Sequence, residues 1–316
     1  MALLIAARGL YCSVGLAEGG GDLEAQLQLD QRVRKLLLDD SLFDEAAGLR
    51  EDGLFTVLLT RYNMLTSFRH SDMSGWTASR LPLFRDTCLP SVLRQSVRPD
   101  RWFIGFNDSD RDSVADVLAL IAPYPWIVPV WDHGTPSASF ASSVAAAAPA
   151  GTTRVLSLRL DNDDAVNILF VAACRTYAAA VLAKRPELDD FWLSFPVGLQ
   201  YSKGRCALKV DTHSHYLGRC AAETSNIVNR INHNHLFQGG RVVFTPLTRE
   251  PMWLENIHGD NVSNVMRADP LSIGPTDRLL RSFGLGSPPR GVNVRRRIVN
   301  LVASLRRRLT PRGKEA

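Results

Sequence analysis

Arg154-Val155-Leu156-Ser157-Leu158-Arg159-Leu160-Asp161-Asn162-Asp163-Asp164-Ala165 runs from a short apolar segment directly into an acidic cluster. The first seven residues read as a strand buried on both faces, because a brief aliphatic run of this length suits an inner strand of a parallel sheet. Open α/β sheets bind ligands beyond the carboxyl ends of their strands, so the acidic turn falls where a site is expected. Two carboxylates separated by one residue can converge on a hard cation such as Mn²⁺ or Mg²⁺, which keeps positions free for phosphate oxygens. The competing reading is a helix start, with Asp161 capping a helix that begins near Ala165 and the other acids favouring its dipole. Both roles fit one turn. An EF-hand is excluded, because the later glycine and glutamate are missing at the required spacing.

Phe55–Thr60, Trp102–Phe106 and Trp126–Trp131 read as further strands, and helical patterns cover about 81–97, 112–121 and 165–184. This alternation predicts an α/β fold with a mostly parallel sheet flanked by helices. Phe191–Phe195 and Arg241–Thr245 are shorter strand candidates, separated by a stretch rich in Asn and His. Within that stretch His233 and His235 would share one strand face, but alternating polar residues in an Asn-rich segment more commonly make a solvated turn. Residues 1–52 read as a helical prefix, with a loop signal at Glu18–Asp22. The end of the chain, from 292 to 309, places Ile298, Leu301, Val302, Leu305 and Leu309 on one helical face. The expected division is therefore a prefix 1–52, a main domain 53–270, and a linker with a basic amphipathic tail 271–316.

The 316 residues are 45% hydrophobic and 22% charged, an ordinary globular composition. The net charge of +5 is concentrated at the end. From Arg290 onward there are nine basic residues and one acidic residue, which leaves the rest of the chain net acidic. Nucleic acid is thus not an expected partner of the folded body. The five cysteines lack a C-x-x-C pair and are odd in number, arguing against a disulfide framework or a cysteine zinc site. Met1–Leu10 is apolar but interrupted by Arg8 and lacks a signal peptide's pattern, and no apolar run reaches the roughly 18 residues of a membrane span. A cytoplasmic protein is expected, with the 290–316 tail able to lie on the inner face of an anionic membrane or to dock on its own domain.

Several segments resemble, in order, a bacterial rhamnosyltransferase family of the GT-A kind. Leu158–Ala165 resembles its R-L-D-x-D-D-A segment, and Thr60-Arg61-Tyr62-Asn63 its T-R-F-N. Cys88–Ser96 resembles C-L-P-S-x-x-x-Q-T, Phe195–Tyr201 an F-P-x-G segment, and Trp253–Asn264 the W-L-x-x-x-H-G-x-N motif. The resemblance covers about Phe55 to Arg267. It implies a GT-A-like fold and transfer of a sugar, rhamnose among the options, from a nucleoside-diphosphate donor to a hydroxyl of a glycan or lipid-linked acceptor. It further implies a Mn²⁺ or Mg²⁺ ion held by Asp161, Asp163 and His258, with Asp164 as a further acid beside them. Donor contacts are implied for Thr60, Arg61, Asn63, Asn107, Asp108, Arg159 and Asp161. An inverting enzyme needs a carboxylate base, for which the candidates are Glu223, in a stretch similar to a family S-L-x-E, and Asp260, beside His258. Trp76, Trp192 and Trp253 are candidates to stack on sugars, though aromatic residues are more often core. Two rivals remain. A metal-dependent phosphoesterase would order its motifs differently, and a non-catalytic carbohydrate-binding protein would have no use for the acidic cluster.

Overall fold

A computed structural model of the chain describes residues 53–64, 73–132, 136–202, 205–211, 216–228, 241–245, 248, 250–258, 272–273 and 277–285. The prefix 1–52 and the basic tail lie outside these residues, as do His233, His235 and Asp260.

The described chain starts with β1 (Leu54–Arg61), then α1 (Met73–Leu83), a π-helical turn at Phe84–Cys88, and α2 (Leu89–Leu93). Next come β2 (Arg101–Asn107), α3 (Ala115–Ile121), β3 (Ile127–Asp132), α4 (Pro136–Ala147), β4 (Arg154–Arg159), β5 (Ala165–Val166) and α5 (Phe170–Lys184). The second half contributes β6 (Asp190–Ser194), β7 (Val197–Ser202), β8 (Arg205–Val210), β9 (Leu217–Ala221), β10 (Val243–Phe244), β11 (Trp253–Asn256), β12 (Ser272–Ile273) and α6 (Asp277–Arg281). The expected α/β sheet is present, with seven strands ordered β10-β6-β9-β4-β1-β2-β3. β1, β2, β3 and β4 are mutually parallel, and β9 runs antiparallel to both β4 and β6. Inner strands buried on both faces need continuous apolar sequence, and β1 and β4 meet that demand, with Val57, Leu58, Leu59, Val155, Leu156 and Leu158 fully buried.

A second, five-stranded sheet, ordered β12-β8-β7-β11-β5, grows from the acidic turn. The helix expected from 165 begins instead at Phe170, because Ala165 and Val166 pair antiparallel with Leu254 and Trp253. Propensity favoured helix, and tertiary pairing overrode it. With its start nine residues beyond Asp161, α5 does not use the acidic turn as its cap. Gln95 serves its first turn instead, accepting from Val171 N at 3.0 Å while its amide donates to Asn167 O at 2.8 Å. The helix placed at 81–97 starts earlier, at Met73, and α4 was not anticipated from its Ala- and Ser-rich sequence.

The F-P-x-G and W-L motifs depend on each other. Trp253 donates its indole N–H to Phe195 O at 2.7 Å, and its ring lies against the backbone of Gly198. A Cβ at position 198 would sit 2.0 Å from the Trp253 ring, so only glycine fits this close approach. The ring also stacks on Tyr216 at 4.7 Å, nearly parallel. Among the described residues no helix is long and apolar enough to cross a membrane.

Candidate active site

The carboxyl ends of β1, β2, β3 and β4 lie side by side, in the register Leu59↔Arg159 and Asn107↔Asp132. This edge collects Arg61, Asn63, Asn107, Asp108, Asp132 and the turn 161–164. Asn63 ties it together, accepting from Asn107 N at 3.0 Å and donating to Asp110 at 2.8 Å. Asn107 accepts in turn from Ser109 N, which begins a tight turn, and Asp108 pairs with Arg111 at 2.5 Å. Thr60 is fully buried and accepts the Trp102 indole N–H at 2.9 Å. With no exposed surface for a base contact, Thr60 does its evident work in the core. Trp192 and Trp253 are likewise fully buried, which accounts for both as packing residues. Trp76 lies beneath the Arg80 guanidinium, 4.7 Å from ring centre to Cζ.

The turn itself sends its residues in different directions. Asp161 faces Arg159, whose guanidinium donates at 3.2 Å. Arg61 stands close enough to feel both charges. Burial and the nearby Arg159 lower its affinity for a proton, and Asp161 offsets part of that loss. Asn162 donates to Tyr62 O at 2.5 Å, fastening the turn to the end of β1. Asp163 points inward, where His258 Nε2 lies 2.8 Å from its Oδ2, although 95 residues separate the two. Asp164 is buried, accepting from Tyr216 Oη at 2.5 Å and from Asn256 N at 2.8 Å. Burial pushes its proton affinity well up, the neighbouring Asp163 and Asp161 adding to the rise and its two hydrogen bonds opposing it. Asp164 is therefore a brace between the turn and β11.

Arg80 carried no local signal in the sequence. It reaches from the last turn of α1 and donates from Nη1 to Asp163 Oδ2 at 2.5 Å, with His258 Nε2 3.2 Å away. Glu255 was also missed. It is fully buried on β11, accepting from Gln200 at 2.7 Å and from Lys209 at 3.1 Å. Both came from positions whose partners lie far away in sequence, and nothing local distinguishes them.

Glu223 does not join this edge. Its strand β9 runs opposite to β4, in the register Val155↔Ala221, so Glu223 emerges beyond the amino ends of the parallel strands. It is exposed and accepts from Ser225 and Asn226. The five residue steps from Val155 to Leu160 span about 17 Å, beyond the reach of one side chain. The family-like S-L-x-E stretch thus marks a surface turn, and Glu223 is set aside as the base.

As a cation seat, the implied ligand set fits in part. A carboxylate oxygen and an imidazole nitrogen 2.8 Å apart suit neighbouring positions around one borderline-hard ion such as Mn²⁺. Asp161 does not join them, and among the described residues no group of three or more His, Cys, Asp or Glu side chains converges. A cation here would have Asp163 and His258 as its protein ligands, leaving the remaining positions to phosphate oxygens and water.

A family model described as "Putative rhamnosyl transferase" matches residues 57–270, a span that includes the acidic turn, Arg80 and His258. The chain belongs to this family. No curated protein matches. Among solved structures, a Mycobacterium tuberculosis H37Rv protein is similar at 13% identity and a TM-score of 0.33, covering 62% of this chain and 88% of its own. The 4-diphosphocytidyl-2C-methyl-D-erythritol synthase of Anaerococcus prevotii is similar at 13% identity and 0.29, covering 77% and 97%. The mannose-1-phosphate geranyltransferase of Thermus thermophilus is similar at 13% identity and 0.27, covering 65% and 74%.

Proposed function

We propose that this member of the family is a GT-A-type glycosyltransferase, moving a sugar of the rhamnose class from a nucleoside diphosphate to a hydroxyl of a glycan or lipid-linked acceptor. One observation carries the reading: Asp163 and His258 meet at 2.8 Å on the carboxyl edge of the sheet, beside the basic pair Arg61 and Arg159. Arg159 pairs with Asp161, and Arg61 stands close to both, so two guanidiniums are on hand for a bound anion. Guanidiniums grip phosphate oxygens through paired N–H donors. Arg61 and Arg159 would hold the diphosphate, and the Asn63–Asn107 tie would keep the adjoining strand ends at fixed spacing. A divalent cation on Asp163 and His258 would offset the charge gained by the leaving diphosphate. In an inverting transfer the acceptor's proton goes to a carboxylate base within hydrogen-bond reach. Asp260, two residues beyond His258, is the remaining candidate from the sequence. The 290–316 tail is proposed to bring the enzyme to an anionic membrane surface, which a vesicle sedimentation assay with and without that tail would test.

The test of the transferase reading is a screen of nucleoside-diphosphate sugars for slow donor hydrolysis, with Mn²⁺, Mg²⁺ or EDTA. Release of nucleoside diphosphate from one donor, absent in Asp163→Asn, is the expected result. Hydrolysis of simple phosphate esters without any cleavage of nucleotide sugars would overturn it in favour of a phosphoesterase.

A further inference from the structure

We propose that Arg80 is the resident cation of the Asp163–His258 pair, and that a divalent ion binds only as this guanidinium leaves. The inference rests on the reading of that pair as a cation seat and adds a competitor for it. Asp163 Oδ2 is the shared acceptor, with Arg80 Nη1 at 2.5 Å and His258 Nε2 at 2.8 Å. The Nη1–Nε2 distance of 3.2 Å closes the triangle. Arg80 is 4% exposed and Asp163 8%, so water screens this arrangement poorly. An ion held by Oδ2 and Nε2 would lie within a few ångströms of a fixed positive charge. Two like charges in so dry a place repel strongly, and one must go.

Arg80 has somewhere to go. Its guanidinium already lies over the ring of Trp76, one helical turn earlier on α1, with Cζ 4.7 Å from the ring centre. Side chains four residues apart share a helix face, and an aromatic face holds a guanidinium without needing a carboxylate. A rotation about the side chain's own bonds can therefore release Asp163 while retaining contact with Trp76. An incoming diphosphate would draw the same guanidinium away from Asp163, since both compete as anions for one cation. Metal and donor then assist each other through a single side chain, and linkage requires the assistance to be mutual.

The experiment titrates Mn²⁺ alone into the full-length protein, following free Mn²⁺ by electron paramagnetic resonance. Wild type is compared with Arg80→Gln, which removes the charge while retaining an amide donor for Asp163, and with Arg80→Lys, which retains the charge. Arg80→Gln is expected to bind Mn²⁺ at least about tenfold more tightly, a difference of about 1.4 kcal/mol, and Arg80→Lys to stay near wild type. Should Arg80→Gln fail to fold, Arg80→Met, judged by circular dichroism before titration, takes its place with the same expected gain. Equal or weaker binding in the neutral variants overturns the proposal, as does the lack of Mn²⁺ binding in any form. The donor screen is independent of this titration. Tighter Mn²⁺ binding without cleavage of any nucleotide sugar would sink the transferase reading and leave Arg80's role standing, and the reverse pattern would do the opposite.

Discussion

Replacing Gly198 with alanine tests whether the motif glycine exists to admit the Trp253 ring. The new Cβ would lie 2.0 Å from Trp253 Cδ2 and 2.2 Å from Cε2. Ordinary carbon contacts begin near 3.5 Å, so the ring must retreat by about 1.5 Å. It cannot do so freely. Tyr216 stacks on it at 4.7 Å, and its N–H is held by Phe195 O at 2.7 Å. Overpacking costs about 1–3 kcal/mol, and loss of the indole hydrogen bond adds roughly 1 kcal/mol. A total near 2–4 kcal/mol corresponds to a fall in Tm of about 5–10 °C for a domain of this size. Displacing Tyr216 would also slacken its bond to Asp164, so donor turnover is expected to fall with stability. The comparison is Gly151→Ala, where nothing lies within 4 Å but φ is +84°, and where the cost is the backbone term alone, about 1–2 kcal/mol. Differential scanning calorimetry on both variants decides the matter. A Gly198→Ala protein melting within about 2 °C of wild type would refute the close-packing argument.

Other expectations follow from the same geometry. Asp163→Asn removes the charge that Arg80 and His258 share. It should lower donor hydrolysis by about 100-fold or more, while far-ultraviolet circular dichroism shows the fold intact. Glu223→Gln, on the far edge of the sheet, should leave kcat within about twofold of wild type, because substitutions away from the chemistry act weakly; a hundredfold loss in a steady-state assay would contradict its placement. Tyr216→Phe deprives the buried Asp164 of one donor and should destabilise the protein by about 1–3 kcal/mol, read from urea unfolding.

The half of the fold written in local pattern was legible. β1, β2 and β4 are runs whose apolar character follows from burial on both faces, while β3 is an apolar run at the edge of the sheet with Pro129 exposed, and each appeared near its expected place. The second sheet was not legible. β5 and β11 are two and four residues long, and they exist because they find each other across the fold, a pairing invisible to any window of sequence. For the site, the acidic turn and His258 stood out by chemistry and by family resemblance, and they do meet. Asp161 and Asp164 resisted assignment for a physical reason: identical carboxylates on one turn point toward an arginine, a histidine and a tyrosine, according to what surrounds each. Arg80 was hidden because an arginine in a helix is unremarkable until the helix is placed. Glu223 misled because a sequence motif carries no information about which edge of the sheet it reaches.

The short ladder joining Ala165 to Leu254 has a consequence for the order in which this molecule becomes competent. The acidic turn is synthesised nearly ninety residues before the strand that brings the imidazole to it, and no local contact can substitute. Contacts so distant along the chain are entropically costly to close and form slowly. During refolding, the parallel strands can assemble while Asp163 still lacks its partner from β11. Ability to bind a donor would then be acquired last, in step with the docking of the smaller sheet, and it would report complete folding more faithfully than secondary-structure signal.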